Sequence, residues 1–290
     1  MNTALAATSE IAVTEFSEYI QLSGLSDFLI SQIFDCGQCF RFDAAKDGAV
    51  EGVAYGRYVR FEQPSPDILL IHGATNEDYQ KIWRGFLALD TDYAAVKRDI
   101  SERFGDGVMR RAMEYGSGIR ILRQEPWETL CSFIISQNNN IPRIKKTIAR
   151  LCEKYGEKIE CGEKTHYRFP DAQRVASATD EELHALGAGF RSKYIIAAAR
   201  RVSEELDLGS LAVLPTESLM EVLQSFYGVG PKVASCVALF AYGKTEAFPI
   251  DVWIRRVLLK YYPDGLDISN LGKWAGVAQQ YLFYFERWGS

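Results

Sequence analysis

Long apolar runs, a cysteine framework, histidine clusters and an excess of positive charge are all missing from this chain. No stretch of about 18 apolar residues occurs, which excludes a membrane-spanning helix. The opening residues carry neither a basic segment nor an apolar run, so no secretory leader is expected. The six cysteines follow no disulfide spacing, which fits a reducing compartment such as the cytoplasm. Three scattered histidines give little support to histidine catalysis or metal-assisted hydrolysis. One C-x-x-C stands at Cys36 to Cys39, but a strand-like run follows it and no second pair completes a zinc set. No metal and no cofactor are therefore expected. Lys and Arg number 33 against 38 Asp and Glu, a net charge of −5, which counts mildly against a nucleic-acid partner.

What is present is material for a core. Of 290 residues, 47% are hydrophobic and 12% aromatic, enough for one large or two ordinary domains. Basic residues gather at Arg143, Lys145, Lys146 and Arg150, at Arg191 and Lys193, and at Arg255, Arg256 and Lys260. Taken alone, such clusters read as solvated helix faces. Up to about residue 120 the pattern mixes types. Gln38 to Phe42, Gly52 to Phe61 and Ile68 to His72 read as strands, with a hairpin turn at Gly56-Arg57. Tyr79 to Leu87 and Tyr93 to Phe104 read as helices. From about 123 the chain reads as helical almost throughout. Pro126 opens a helix, Gln137 to Asn140 interrupt it, and Pro142 sits where a first turn tolerates proline. Further helices are expected at roughly 180–186, 192–206, 216–226, 232–242, 252–262 and 273–287, with Thr216 as a candidate N-cap.

The chemistry concentrates in Tyr227-Gly228-Val229-Gly230-Pro231-Lys232-Val233 and, one helix later, Pro249-Ile250-Asp251. Helix, glycine turn and helix make a hairpin. Its uncovered amides at Gly228, Gly230 and Val233 suit a phosphate oxygen without sequence readout. A plain inter-helix turn is the bland alternative. Lys232 stands at the positive end of its helix, a field that disfavours an ammonium and favours a nucleophilic amine; a surface lysine touching phosphate is the alternative. Asp251 reads as an N-cap. A carboxylate so capped is expected to stay ionised and to be able to support a developing sugar cation.

This hairpin with Lys232 and Asp251 resembles the helix-hairpin-helix DNA glycosylase superfamily. Within it, five separate segments resemble the 8-oxoguanine DNA glycosylases: Gly37-Gln38-Cys39-Phe40-Arg41-Phe42, Leu122 to Pro126, Ser136 to Ile141, Leu186 to Arg191, and Ala275 to Phe283. The resemblance implies that Lys232 attacks C1′ of the damaged nucleotide and forms a Schiff base, while Asp251 supports base departure. It implies that the Gly37 carbonyl accepts the N7–H that guanine lacks, that Gln279 reads the Watson–Crick edge, and that Phe283 and Cys236 flank the base, with Pro249 also in the base pocket. Asn138, Phe190 and Arg191 would fill the hole and hold the orphan cytosine, with Arg143 as a further contact. Departures from the family pattern are Cys39 in place of a frequent serine, Phe190 in place of a tyrosine, and Trp253 in place of a phosphate-facing histidine. No four-cysteine motif follows the hairpin, unlike the iron–sulfur branch.

The implied fold class is α+β: an N-terminal antiparallel-sheet (TBP-like) domain over 1–122, then an all-α helix-hairpin-helix region over 123–290 with its hairpin at 216–242. The implied function is a bifunctional glycosylase/AP lyase acting on double-stranded DNA containing an oxidised guanine. It would be a monomer, without a membrane partner, located in the cytoplasm (on the nucleoid in a prokaryote, in the nucleus of a eukaryote). An alkylpurine DNA glycosylase is the alternative within the enzyme class, and Lys232 speaks against it because that branch can use water and an aspartate alone. A noncatalytic helix-hairpin-helix DNA-binding protein is the alternative outside it.

Overall fold

The computed structural model describes residues 11–161 and 164–289. Its first part is one antiparallel sheet. Strands β1 (Ala12–Glu15), β2 (Tyr19–Ser23), β3 (Phe42–Ala44), β4 (Val50–Ala54), β5 (Arg57–Ser65) and β6 (Ile68–His72) lie in the order β1-β2-β6-β5-β4-β3. Alternation sets the faces. Ile20 and Leu22, Val59 and Phe61, Leu69 and Ile71 are buried, while their neighbours along each strand are not. That apolar face packs with Phe28, Trp83 and Phe86.

The β4–β5 turn is Tyr55-Gly56, one residue earlier than the sequence suggested. Both residues have positive φ, 50° and 69°, and Ala54 pairs with Arg57, as a two-residue primed turn requires. The expected strand over Gln38 to Phe42 is corrected more substantially, because only Phe42 joins the sheet. Gln38 is fully buried, and its amide donates to the carbonyls of Ile33 and Arg120 and accepts from the N–H of Leu122. Those bonds hold residues 36–41 as a tied loop instead of a strand.

Tyr79 to Leu87 is not one regular helix: a π-turn, Tyr79–Trp83, lies between short α-helical pieces. Thr216 is not the N-cap either. Pro215 takes that position, and the Thr216 hydroxyl donates to Glu246. Elements unforeseen in the sequence include β1, β2, the helix Gly107–Tyr115, the short helices Ile30–Ile33 and Ala172–Ala176, and a small hairpin of β7 (Lys158–Cys161) with β8 (Lys164–Tyr167).

The remainder is helical, as expected. Pro126–Ser136 starts on a Glu125 cap that accepts the N–H groups of Trp127 and Glu128. Ile141–Tyr155 starts on Asn140, whose side chain accepts from Arg143 N–H. Between them, 137–140 project as a loop. The 126–136 helix is buried on nearly every side, against the 231–242 helix, among others. The two cores interleave along the chain. Tyr93, Val96, Ile100, Met109 and Ala112 precede residue 122, yet they are buried in the helical cluster and not under the sheet.

Candidate active site

The hairpin joins helices Thr216–Gln224 and Pro231–Tyr242. Buried Phe226 and Val229 anchor its turn, leaving Tyr227 exposed. Gly228 has φ 80°, and a Cβ there would lie 2.3 Å from Cγ of Tyr194, so the ring occupies the space a side chain would need. Gly230 caps the second helix without a side chain and has open space around it. The N–H groups of Gly230 and Val233 have no acceptor within the helix, since Pro231 and its successors form the first turn. A Gly228→Ala variant should therefore lose about 2–4 kcal/mol, from backbone strain plus displacement of the ring. Gly230→Ala should change stability little. Thermal denaturation of the two variants side by side checks this.

Lys232 lies in the first turn after that glycine turn, half-buried. Its Nζ is 3.5 Å from Ser136 Oγ and 5.3 Å from the centroid of the Phe133 ring. Asp251 caps the Val252–Tyr261 helix, accepting from Trp253 N–H at 3.0 Å and Ile254 N–H at 2.9 Å. The expected cap is thus present, but its hydrogen bonds do not bring the carboxyl pKa below the ordinary value. Burial raises the Asp251 pKa above the ordinary carboxylate value, and it outweighs the Ile254 N–H, the nearby Lys232 charge and the Trp253 N–H, which pull it down. Desolvation of the charged form is the stronger effect here. Cys236, one turn beyond Lys232, is buried. Its thiol is pushed up by that burial and drawn back by Lys232.

Facing these is the tied loop. Gly37 has φ 73°, and a Cβ there would sit 3.2 Å from Cζ of Phe283. A side chain at 37 would be strained and would press on the ring. Phe283 and Gln279 are 6% and 2% exposed, on one face of the Ala275–Tyr284 helix, and Pro249 is buried nearby. Lys232, Asp251, Cys236, Gly37, Gln279 and Phe283 all line one cleft of about 930 Å³. Such a volume suits a nucleotide-sized ligand.

Around the rim the residues differ in availability. Phe190 is 54% exposed, unlike a core aromatic. Asn138 is exposed with φ 47°, and Arg143 is exposed on the 141–155 helix. Arg191 is buried instead. Its guanidinium donates to the carbonyls of Gln137, Asn138 and Ala188 and lies over the Phe190 ring at 4.4 Å. Burial, then the Arg143 charge, lowers its pKa. Arg191 thus holds the 137–138 loop in place, whereas the sequence suggested only an outward contact. Trp253 carries Arg256 over its ring at 4.6 Å. Cys36 and Cys39 are buried thiols, Cys36 pushed up to about 12 by burial and Cys39 also raised, which suits neither redox exchange nor metal binding. As residues of the site, Phe133, Tyr194 and Arg287 escaped the sequence reading, and Ser136 entered it only as the start of a resembling segment. Only Tyr194 left a signal, one helical turn beyond Phe190.

A glycine hairpin presenting a lysine, with a half-buried aspartate across the same cleft, defines a base-excision architecture. Residues 131–265 match the HhH-GPD superfamily of base excision DNA repair proteins, and residues 22–130 match the 8-oxoguanine DNA glycosylase N-terminal domain. The chain belongs to the 8-oxoguanine DNA glycosylase family of that superfamily.

Among solved structures, MBOgg1 in complex with a low-affinity DNA ligand superposes with a TM-score of 0.91 at 39% identity, covering 96% of this chain and 98% of that one. The Clostridium acetobutylicum 8-oxoguanine glycosylase/lyase, bound to duplex DNA with cytosine opposite 8-oxoG, gives 0.89 at 35% identity, covering 95% and 97%. The N-glycosylase/DNA lyase of Saccharomyces cerevisiae is 40% identical over 167 residues, 53% of this chain; the match spans 44% of the yeast protein's length.

Proposed function

We propose that the chain is a bifunctional DNA glycosylase/AP lyase that removes 8-oxoguanine from duplex DNA. The observation that carries this reading is the meeting of Lys232, Asp251, Gly37, Gln279 and Phe283 in one cleft. The lesion is extruded from the stack, and Phe190 fills the space it leaves. The oxidised ring enters between Phe283 and Cys236. Gln279 meets its Watson–Crick edge, and the Gly37 carbonyl accepts N7–H. A single backbone acceptor then separates two nearly identical bases, because guanine presents a lone pair at N7.

The Lys232 amine attacks C1′. The C1′–N9 bond breaks as its electrons leave with the base, and the Asp251 carboxylate stabilises the positive charge developing on the sugar. Opening of the sugar ring gives a Schiff base. Loss of a C2′ proton then expels the 3′ phosphate by β-elimination, and water releases the lysine. Free amides at Gly230 and Val233 supply donors for the phosphates flanking the lesion. The partner in this reading is duplex DNA. Incubation with a duplex carrying one 8-oxoguanine should release the base and nick the strand 3′ to it. Binding without base release would favour a noncatalytic helix-hairpin-helix DNA-binding protein.

Arg143, exposed on the 141–155 helix and close enough for Arg191 to feel its charge, motivates a preference for cytosine as the orphan base, while Arg191 holds the Asn138 loop that would face it. The Clostridium acetobutylicum relative holds 8-oxoG opposite cytosine. Turnover measured against all four opposing bases should be fastest for cytosine, and Arg143→Ala should narrow that margin by about tenfold. Equal turnover against every partner would remove the preference.

A further inference from the structure

Arg287 lines the cleft without a role in the reaction proposed above, and its placement extends that reading. Arg287 lies in a π-turn, Phe285–Gly289, that continues the 275–284 helix. It follows Gln279 and Phe283 in steps of four, which puts the three side chains along one side of the helix.

Three observations single it out. Its Nη1 is buried and finds no hydrogen-bond partner among the described residues. A buried cationic donor without an acceptor is unfavourable, and a structure retains one where something else supplies the acceptor. That same Nη1 stands 3.9 Å from the point where a Gly37 side chain would begin, and the guanidinium lies 6.0 Å from the Phe283 ring centroid. The residue lines the same cleft as Lys232 and Asp251. The neighbouring acid is Asp35, whose carboxyl feels the Arg287 charge without taking a hydrogen bond from Nη1. On its other side the guanidinium faces the Trp288 ring at 4.7 Å, which supplies no lone-pair acceptor.

The order along the helix then identifies the acceptor. Gln279 meets the Watson–Crick edge, Phe283 covers the ring, and Arg287 comes next, beside the Gly37 loop. Opposite the Watson–Crick edge, an oxidised guanine carries N7–H and, beyond it, the C8 carbonyl oxygen. With N7–H taken by Gly37, the oxygen is the atom left for a donor. We propose that Arg287 donates through Nη1 to the C8 oxygen of the extruded base. Discrimination then has two parts: an acceptor for a proton that guanine lacks and a donor for an oxygen that guanine lacks.

The test uses the full chain, Arg287→Leu and Arg287→Lys. Leucine keeps apolar cover over Phe283 and removes the donor, while lysine keeps a cation. Single-turnover excision from 8-oxoguanine duplex should fall about 10- to 100-fold in Arg287→Leu, with partial recovery in Arg287→Lys. Cleavage of a duplex carrying an abasic site, which has no base to read, should stay within about twofold, on the scale of a lost surface contact. An 8-thioguanine duplex keeps N7–H and replaces the oxygen with a weak acceptor. Wild type should lose rate on it, and Arg287→Leu should lose little more, because the two changes remove one interaction.

An equal loss on abasic and 8-oxoguanine DNA would mean that Arg287 only braces Phe283, and would overturn the contact. So would an equal sulfur penalty in both enzymes. Wild type inert on 8-oxoguanine DNA would defeat the parent reading itself, whereas an active wild type with an unimpaired Arg287→Leu defeats only this contact.

Discussion

Lys232→Gln should leave no protein–DNA adduct when borohydride is added to a reaction on 8-oxoguanine duplex, while the wild type traps covalently. The reduction captures the imine proposed between Nζ and C1′, so it reports one bond. Base excision should fall with it by about three orders of magnitude or more, the scale seen when an enzyme's nucleophile is deleted. Glutamine removes the amine but keeps a polar side chain toward Ser136, which stands 3.5 Å from Nζ, so the helix start should be retained. A normal melting temperature with no trapping is the expected pair of results. Equal trapping by both proteins would show that another amine forms the imine. The substitution also removes a positive charge that draws the Asp251 pKa down, so the Asp251 carboxyl should become harder to ionise in the variant.

Asp251→Asn should slow base excision by about 10²- to 10³-fold, the scale of removing one group that stabilises transition-state charge. DNA affinity should change much less. Asparagine is as good an N-cap as aspartate, so the bonds from Trp253 and Ile254 N–H can persist and the helix keeps its start. Burial gives the carboxyl a pKa above its ordinary value, so the active, ionised form is lost at a higher pH than for an exposed aspartate. Wild-type excision should therefore decline on mild acidification, with its inflection above the usual carboxylate range, and the Asn variant should lack that inflection.

Stability runs the other way. The native state binds this proton more tightly than the unfolded chain does, so this group's contribution falls as pH rises from 3.8 to the native value and is level beyond it. At neutral pH the variant should be as stable as the wild type or slightly more so. Parallel losses of rate, affinity and melting temperature would instead mark a folding defect.

The hairpin, Lys232 and Asp251 were legible in the chain because each rests on local chemistry. A glycine that must take φ 80°, a proline opening a helix and an aspartate before an amphipathic run announce themselves within a few residues. The long helices at 93–104 and 192–204 were legible by period. What could not be read depends on partners distant in sequence. Gln38 looks like a strand residue until the carbonyl of Arg120 and the N–H of Leu122 arrive. Arg191 looks like a free cation until the 137–138 carbonyls close on it. β1 and β2 are short and half-polar, and β2 needs β6 beside it before its buried Ile20 and Leu22 have a face to join. Asp251's ionisation depends on how much water the finished fold excludes, which no local pattern encodes.

The anchoring of Gln38 has a consequence for fidelity. Its amide ties the Gly37 loop to Ile33 and Arg120, and its own carbonyl is held by Gln124, so the carbonyl proposed to read N7–H hangs on the seam between the two cores. Lys232 stands on a helix deep inside one of them. Loosening the seam, by heat or by a substitution such as Gln38→Ala, would blur the choice of base while the cutting machinery still works. Damage of that kind would surface as a broadened spectrum of excised bases well before it surfaced as a slower enzyme.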